Sequence, residues 1–157
     1  MKRSIAMASV AFGLIAGPAF AAVIGPVKPS QVVVLRVSGQ GTNCTPGGGQ
    51  EADLQVHPDG SIDPFVPPLG YGFVITGIDW GAAGNPPDEY VPVAIRLPTN
   101  HPGGSIVFVS GSVSDGAGKS WGSAIVPNVA VAPGTPICVG VPGQTQMAVH
   151  GYYTIYK

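Results

Sequence analysis

Charged residues are scarce in this 157-residue chain, and their scarcity excludes several classes of protein. Lys and Arg together number 7 and Asp and Glu 8, so 10% of the residues are charged and the formal net charge is −1. No basic stripe is available to neutralise phosphates, so we expect no nucleic-acid partner. No Lys or Arg cluster suggests a membrane surface, and beyond the N-terminus no apolar run approaches the roughly 18 residues of a transmembrane helix.

The N-terminus has the pattern of a secretory signal peptide. Lys2 and Arg3 precede an apolar run over residues 5–16, Pro18 interrupts it, and small residues follow as far as Ala21. The run is too short to span a bilayer, and alanines occupy the positions that signal peptidase requires. We predict a signal peptide over residues 1–21 and a soluble mature chain, secreted or periplasmic, that begins at Ala22.

Leucine is also rare, which argues against helices. From residue 22 onward the chain has 20 Val but only 4 Leu, and its 22 Gly and 16 Pro fall between the apolar runs. Since β-branched side chains favour a pleated surface, we predict a single all-β domain. Nine segments read as strands: 31–38, 52–57, 61–65, 71–80, 90–97, 104–113, 120–130, 135–141 and 145–156.

Turn residues separate these segments and favour antiparallel pairing. Asp59-Gly60 predicts a β-hairpin, residues 114–118 predict a second one, and Pro92 suggests an edge strand. Eight or nine short strands in one domain predict a two-sheet, jelly-roll-like β-sandwich over residues 31–157, preceded by an extended arm over 22–30. A closed β-barrel is the alternative.

Only two cysteines are present, Cys44 and Cys138, 94 residues apart. Because an exported chain meets an oxidising compartment, we predict that they form one intramolecular disulfide. Two free buried thiols, or a link between chains, are the alternatives.

One short motif is typical of hydrolases. Residues 118–122, Gly-Lys-Ser-Trp-Gly, match the Gly-x-Ser-x-Gly nucleophile elbow, which needs a strand-to-helix turn. Here a turn precedes the motif and a strand-like run follows it, so we interpret it as a hairpin and assign no catalytic residue. The alternative is a secreted, glycosidase-like hydrolase that uses Asp79 and the loop carboxylates Glu51 and Glu89.

Metal ligands show no recognisable spacing. The chain has neither His-x-His nor His-x-x-x-His, so we expect no transition metal and no cofactor. A calcium ion bound by acidic loop residues is a less favoured alternative to solvated turn acids. The candidate ligands are Asp59, Asp63, Asp79, Asp88 and Glu89.

Aromatic residues give the one positive indication of function. In the last segment, alternation predicts Met147, Val149, Tyr153 and Ile155 on the core side and His150, Tyr152 and Tyr156 on the opposite side. We predict a binding face formed by His150, Tyr152 and Tyr156 together with Trp121 of the second hairpin. Such rings stack on sugars or anchor protein surfaces, so we expect a non-enzymatic binding protein or part of an extracellular structure. In the alternative interpretation, Trp80 and Tyr152 fill the ends of the sandwich.

Overall fold

The computed structural model describes residues 32–38, 43–44, 49–98 and 104–156. The predicted signal peptide and the arm over 22–30 lie outside these residues. Within them the chain forms nine strands and no helix, which confirms the all-β prediction. The strands are β1 (Val32–Val37), β2 (Gln50–Val56), β3 (Ile62–Pro64), β4 (Tyr71–Ala82), β5 (Tyr90–Leu97), β6 (Ser105–Val113), β7 (Ser120–Val131), β8 (Cys138–Gly140) and β9 (Gln144–Ile155).

The strands form one antiparallel sheet that curves until it is nearly closed into a barrel. Its order is β6-β5-β8-β2-β1-β9-β4-β7, with the short β3 paired to β2. The end strands β6 and β7 approach each other without being hydrogen-bonded neighbours. Trp80 of β4 donates from Nε1 to Ser112 Oγ of β6 at 3.2 Å and so links the two sides of this gap. The architecture therefore lies between the predicted sandwich and its barrel alternative.

The first predicted hairpin is present, whereas the second is a turn without a hairpin. β2 pairs with β3 around Asp59-Gly60, as expected. At the second turn the Asp115 N–H donates to the Lys119 carbonyl at 2.7 Å. However, β6 pairs with β5 and β7 pairs with β4, so the two strands that flank this turn lie at opposite ends of the strand order. The expectation that β6 and β7 pair with each other is therefore wrong.

Pro92 does not lie on an edge strand as predicted. It lies instead at a position where its missing N–H is tolerated. β5 lies between β6 and β8, so it is not at an edge. Its pairing with β8 covers only Ala94, Ile95 and Arg96, and Pro92 lies beyond it. A proline is tolerated at this position because no sheet hydrogen bond to β8 is required there.

Alternate residues of the strands fill the interior, as the sequence pattern predicts. Val33 and Leu35 of β1 are buried, and so are Met147 and Val149 of β9. Tyr153 packs with Phe65 and Phe73 at ring-centroid distances of 6.4 and 6.2 Å, and its hydroxyl donates to Gln55 Oε1 at 2.8 Å. Ile155, predicted to face the core, is exposed where β9 ends.

The predicted disulfide is present. Cys44 and Cys138 are bonded, with their Cα atoms 5.7 Å apart. The bond ties the segment before β2 to β8, which is only three residues long. Cross-linking two positions so distant in sequence restricts the unfolded chain, which stabilises the fold.

Candidate functional site

An open groove crosses the outer face of four neighbouring strands, β1, β9, β4 and β7. In the sheet register Ala148 of β9 lies between Arg36 of β1 and Asp79 of β4, and Asp79 is opposite Ser123 of β7. Side chains at paired positions point to the same face of a sheet. Because the alanine side chain is short, the long side chains on both sides of it rise above a low floor.

Two residues further along the sheet, the register places Gln146, Gly81 and Trp121 side by side. Gly81 has no side chain, so the floor continues from Ala148 to Gly81 while Gln146 and Trp121 form walls. The groove has a volume of about 370 Å³. Trp121 is 62% exposed, so its ring is available to a ligand.

A histidine orients the groove carboxylate. His150 Nε2 lies 2.7 Å from Asp79 Oδ2, and the two side chains are 37% and 54% exposed. His150 is opposite Gly77 of β4, and its imidazole lies close to that glycine, since a Cβ atom added there would be 3.8 Å from His150 Cδ2. The other carboxylate oxygen, Oδ1, has no hydrogen-bond partner among the described residues and remains available as an acceptor.

The opposite wall of the groove has a positive charge. Arg36 is exposed and has no hydrogen-bond or ion-pair partner in the part of the chain that the structure describes. Its backbone lies two strand spacings from that of Asp79, about 10 Å, with Ala148 between them. The groove therefore has a cationic side and an anionic side instead of an internal salt bridge.

The structure divides the predicted binding face. Trp121 and His150 meet at the groove, but Tyr152 is only 5% exposed, and desolvation raises its pKa. Tyr152 lies between Val32 of β1 and Val74 of β4 in the register. The expectation that Tyr152 is accessible is wrong. Alternation predicts only the face of the strand, and on an inner strand the neighbouring strands on both sides reduce the exposure of that face.

Tyr156 is accessible but remote from the groove. It is 54% exposed and follows the end of β9, next to Gly72 of β4. It lies ten residues beyond Gln146, a distance of about 33 Å along an extended strand. Tyr156 therefore cannot contact a small ligand held by Trp121.

Sequence reasoning missed Arg36 and Gln146 and considered Asp79 only as a calcium ligand or a hydrolase carboxylate. A signal for two of them is nonetheless present, because Arg36 and Asp79 are single charged residues inside otherwise apolar strands. Such residues face solvent on a half-buried strand. Their proximity could not be predicted, since it depends on the order β1-β9-β4 of strands far apart in sequence.

The residues of the hydrolase motif do not form a nucleophile elbow. β7 begins at Ser120 and continues through Gly122, so a strand replaces the required helix. Ser120 is 1% exposed and its Oγ has no hydrogen-bond partner among the described residues, whereas His150 lies on the outer face. The motif serine and the histidine are therefore on opposite sides of the sheet.

The predicted acidic candidates are dispersed. Glu51 accepts hydrogen bonds from Asn43 Nδ2 at 2.9 Å near the disulfide, while Asp79 lies in the groove. Asp59 accepts hydrogen bonds from the Ser61 backbone and hydroxyl, which lower its pKa, and Asp63 lies 3.2 Å from His57 Nε2. Among the described residues, no group of three or more His, Cys, Asp or Glu side chains is arranged to hold a metal ion.

Two further findings bear on identity. Over the described ranges, from residue 32 to residue 156 with their gaps, there is no helix long and apolar enough to cross a membrane. In comparisons with known proteins, the chain matches no protein-family model, no curated protein and no solved structure.

Proposed function

We propose that the protein is exported and binds carbohydrate in the groove on the outer face of its sheet. The observation that carries this proposal is the exposed Trp121 beside a groove with an oriented carboxylate, an amide and a guanidinium. Sites of this kind combine a flat apolar surface with a few fixed polar groups.

The groove matches the two chemical faces of a sugar. A pyranose ring has a C–H face that packs on an aromatic ring, here Trp121. Its hydroxyl groups both donate and accept hydrogen bonds. Asp79 Oδ1 supplies an acceptor, Arg36 supplies donors, and the Gln146 amide supplies both.

Export is supported by the N-terminal pattern and by the cystine. Residues 1–21 have the features of a signal peptide, and the Cys44–Cys138 bond is compatible with an oxidising compartment. Outside the cytoplasm, the ligand would be a surface or extracellular glycan.

Binding is favoured over cleavage by the carboxylates of the groove. Glycoside hydrolysis usually requires two carboxyl groups about 5–9 Å apart on either side of the scissile bond. Among the described residues that line the groove, Asp79 is the one carboxylate. Its partner is His150, which orients Asp79 for hydrogen bonding to a ligand.

Isothermal titration calorimetry against oligosaccharides found on a glycan array tests the proposal. Trp121→Ala should weaken binding about 10- to 100-fold, because burial of an aromatic ring contributes roughly 1.5–3 kcal/mol. Tyr156→Ala is the matched control, since it removes an equally exposed ring far from the groove. The proposal fails if no glycan binds, or if both variants bind as the wild type does.

A further inference from the structure

The groove also indicates the class of sugar that it binds. We infer that the ligand is an acidic oligosaccharide that lies across the strands, with a uronic acid unit at Arg36 and a neutral unit at Trp121. This inference rests on the proposed carbohydrate function and adds the charge, the minimum length and the orientation of the ligand.

The guanidinium of Arg36 indicates that the ligand is acidic. It is exposed at the wall of the groove and has no partner among the described residues. The nearest groove carboxylate, Asp79, is directed to His150 at 2.7 Å and does not neutralise Arg36. A guanidinium binds a carboxylate through two parallel hydrogen bonds, and these are stronger than its bonds to neutral hydroxyl groups.

The width of the groove gives the minimum length of the ligand. Arg36 on β1 and Trp121 on β7 are separated by β9 and β4, which is three strand spacings or about 14 Å between their backbones. This span is longer than one sugar ring. The unit that packs on Trp121 is therefore different from the unit whose carboxylate contacts Arg36, and the ligand has at least two units.

Asp79 determines which unit is acidic. It lies on β4, one strand from Trp121 and two from Arg36, so it faces the unit nearer to β7. Like charges at close range repel, and a uronate at this position would be disfavoured. A neutral sugar, by contrast, presents hydroxyl groups to Asp79 Oδ1. An oligosaccharide that alternates uronate with neutral units thus fits better than a uniformly acidic one.

Three tetrasaccharide probes distinguish these cases by calorimetry at low ionic strength: a hyaluronan tetrasaccharide, which alternates glucuronate with N-acetylglucosamine; tetragalacturonate, which is uniformly acidic; and cellotetraose, which is neutral. We expect the alternating probe to bind at least ten-fold more tightly than either of the others. Its affinity should also fall as salt is added, because salt screens exposed charges.

The variant Arg36→Gln should lower the affinity for the alternating probe about ten-fold or more. It should lower the affinity for cellotetraose much less, because a neutral sugar loses only the weaker hydrogen bonds from Arg36 to its hydroxyl groups. Arg36→Lys should retain part of the affinity, since the charge remains but the paired hydrogen bonds do not. Arg96→Gln is the charge-matched control, because Arg96 lies on β5, which is not one of the four strands of the groove. Circular dichroism and thermal melting check that each variant folds.

Equal binding of the neutral and alternating probes, or an Arg36→Gln variant that binds the alternating probe as the wild type does, overturns the inference. If tetragalacturonate binds most tightly, the inferred alternation of acidic and neutral units is wrong. In these cases loss of cellotetraose binding by Trp121→Ala still supports the proposed function. Absence of binding to every glycan overturns both.

Discussion

The indole of Trp80 occupies the space in which a side chain at position 122 would lie. Trp80 on β4 is paired with Gly122 on β7, and a Cβ atom added to Gly122 would overlap the six-membered ring of the indole. The absence of a side chain allows Trp80 to lie over the neighbouring strand and reach Ser112 of β6. The second glycine of the hydrolase-like motif therefore serves the packing of the core.

Replacing Gly122 by alanine should destabilise the fold by about 1–3 kcal/mol, because the added methyl group forces the buried Trp80 from its position. Urea denaturation followed by tryptophan fluorescence measures the change. Gly116→Ala is the control, since nothing lies within 4 Å of a Cβ atom at that turn position. If both variants unfold at the same urea concentration as the wild type, the packing argument is wrong.

Loss of the disulfide should have a larger effect. Cys138→Ser is expected to lower the free energy of unfolding by about 2–5 kcal/mol, because the unfolded chain gains the freedom that the long loop closure had removed. Cys138 is also buried, whereas Cys44 is partly exposed. Urea denaturation should show that the variant and the reduced wild type lose similar amounts of the free energy of unfolding. Free thiols in the denatured, unreduced wild type would contradict the bond.

Alkaline pH should weaken the fold through its buried tyrosines. Burial raises the pKa of Tyr152 and of Tyr153 above the ordinary value of 10.0. Above that pH the unfolded chain releases these protons while the folded chain retains them. The stability is thus fully present below about pH 10 and is lost as the pH rises through the folded pKa values.

The variant Tyr153→Phe tests this pH dependence. At neutral pH it should cost about 0.5–1.5 kcal/mol, because the hydrogen bond to Gln55 is lost. Between pH 9 and 11, however, its stability should fall less steeply than that of the wild type, as measured by urea denaturation at each pH. If the stability of both proteins declines equally steeply with pH, Tyr153 does not contribute to the loss of stability at alkaline pH.

Export with cleavage of the signal peptide predicts the mass of the mature protein. When the full chain is expressed in a bacterium with a secretion system, the protein recovered outside the cytoplasm should begin at Ala22. Intact-mass analysis distinguishes this form from the uncleaved chain. Substitution of Ala21 by a bulky residue should block cleavage. Recovery of exported protein that retains residues 1–21 would contradict the prediction.

The local parts of the fold could be predicted from the sequence. Alternation located inward residues of β9, such as Met147 and Val149, and Asp59-Gly60 located the hairpin, because both signals depend on neighbouring residues. The disulfide was also predictable, since two cysteines allow one intramolecular pairing. These features do not require knowledge of which strands are neighbours.

The groove could not be predicted in the same way. Arg36, Ala148 and Asp79 come together only because β9 lies between β1 and β4, and single-sequence patterns do not give strand order. The register also shifts between Ile75 and Gly77, so simple alternation does not extend through β4. The burial of Tyr152 could not be predicted either, because it depends on the two strands that flank β9, and alternation within β9 does not identify them.

The position of β9 has a consequence for biosynthesis. β9 is translated after every other described strand, yet it pairs with β1 and β4 in the middle of the sheet. Until it has left the ribosome, β1 and β4 each lack a neighbour, and the groove between them does not exist. Because non-local pairing is also slow to form, we expect the sheet to be completed only after the whole of β9 has been synthesised.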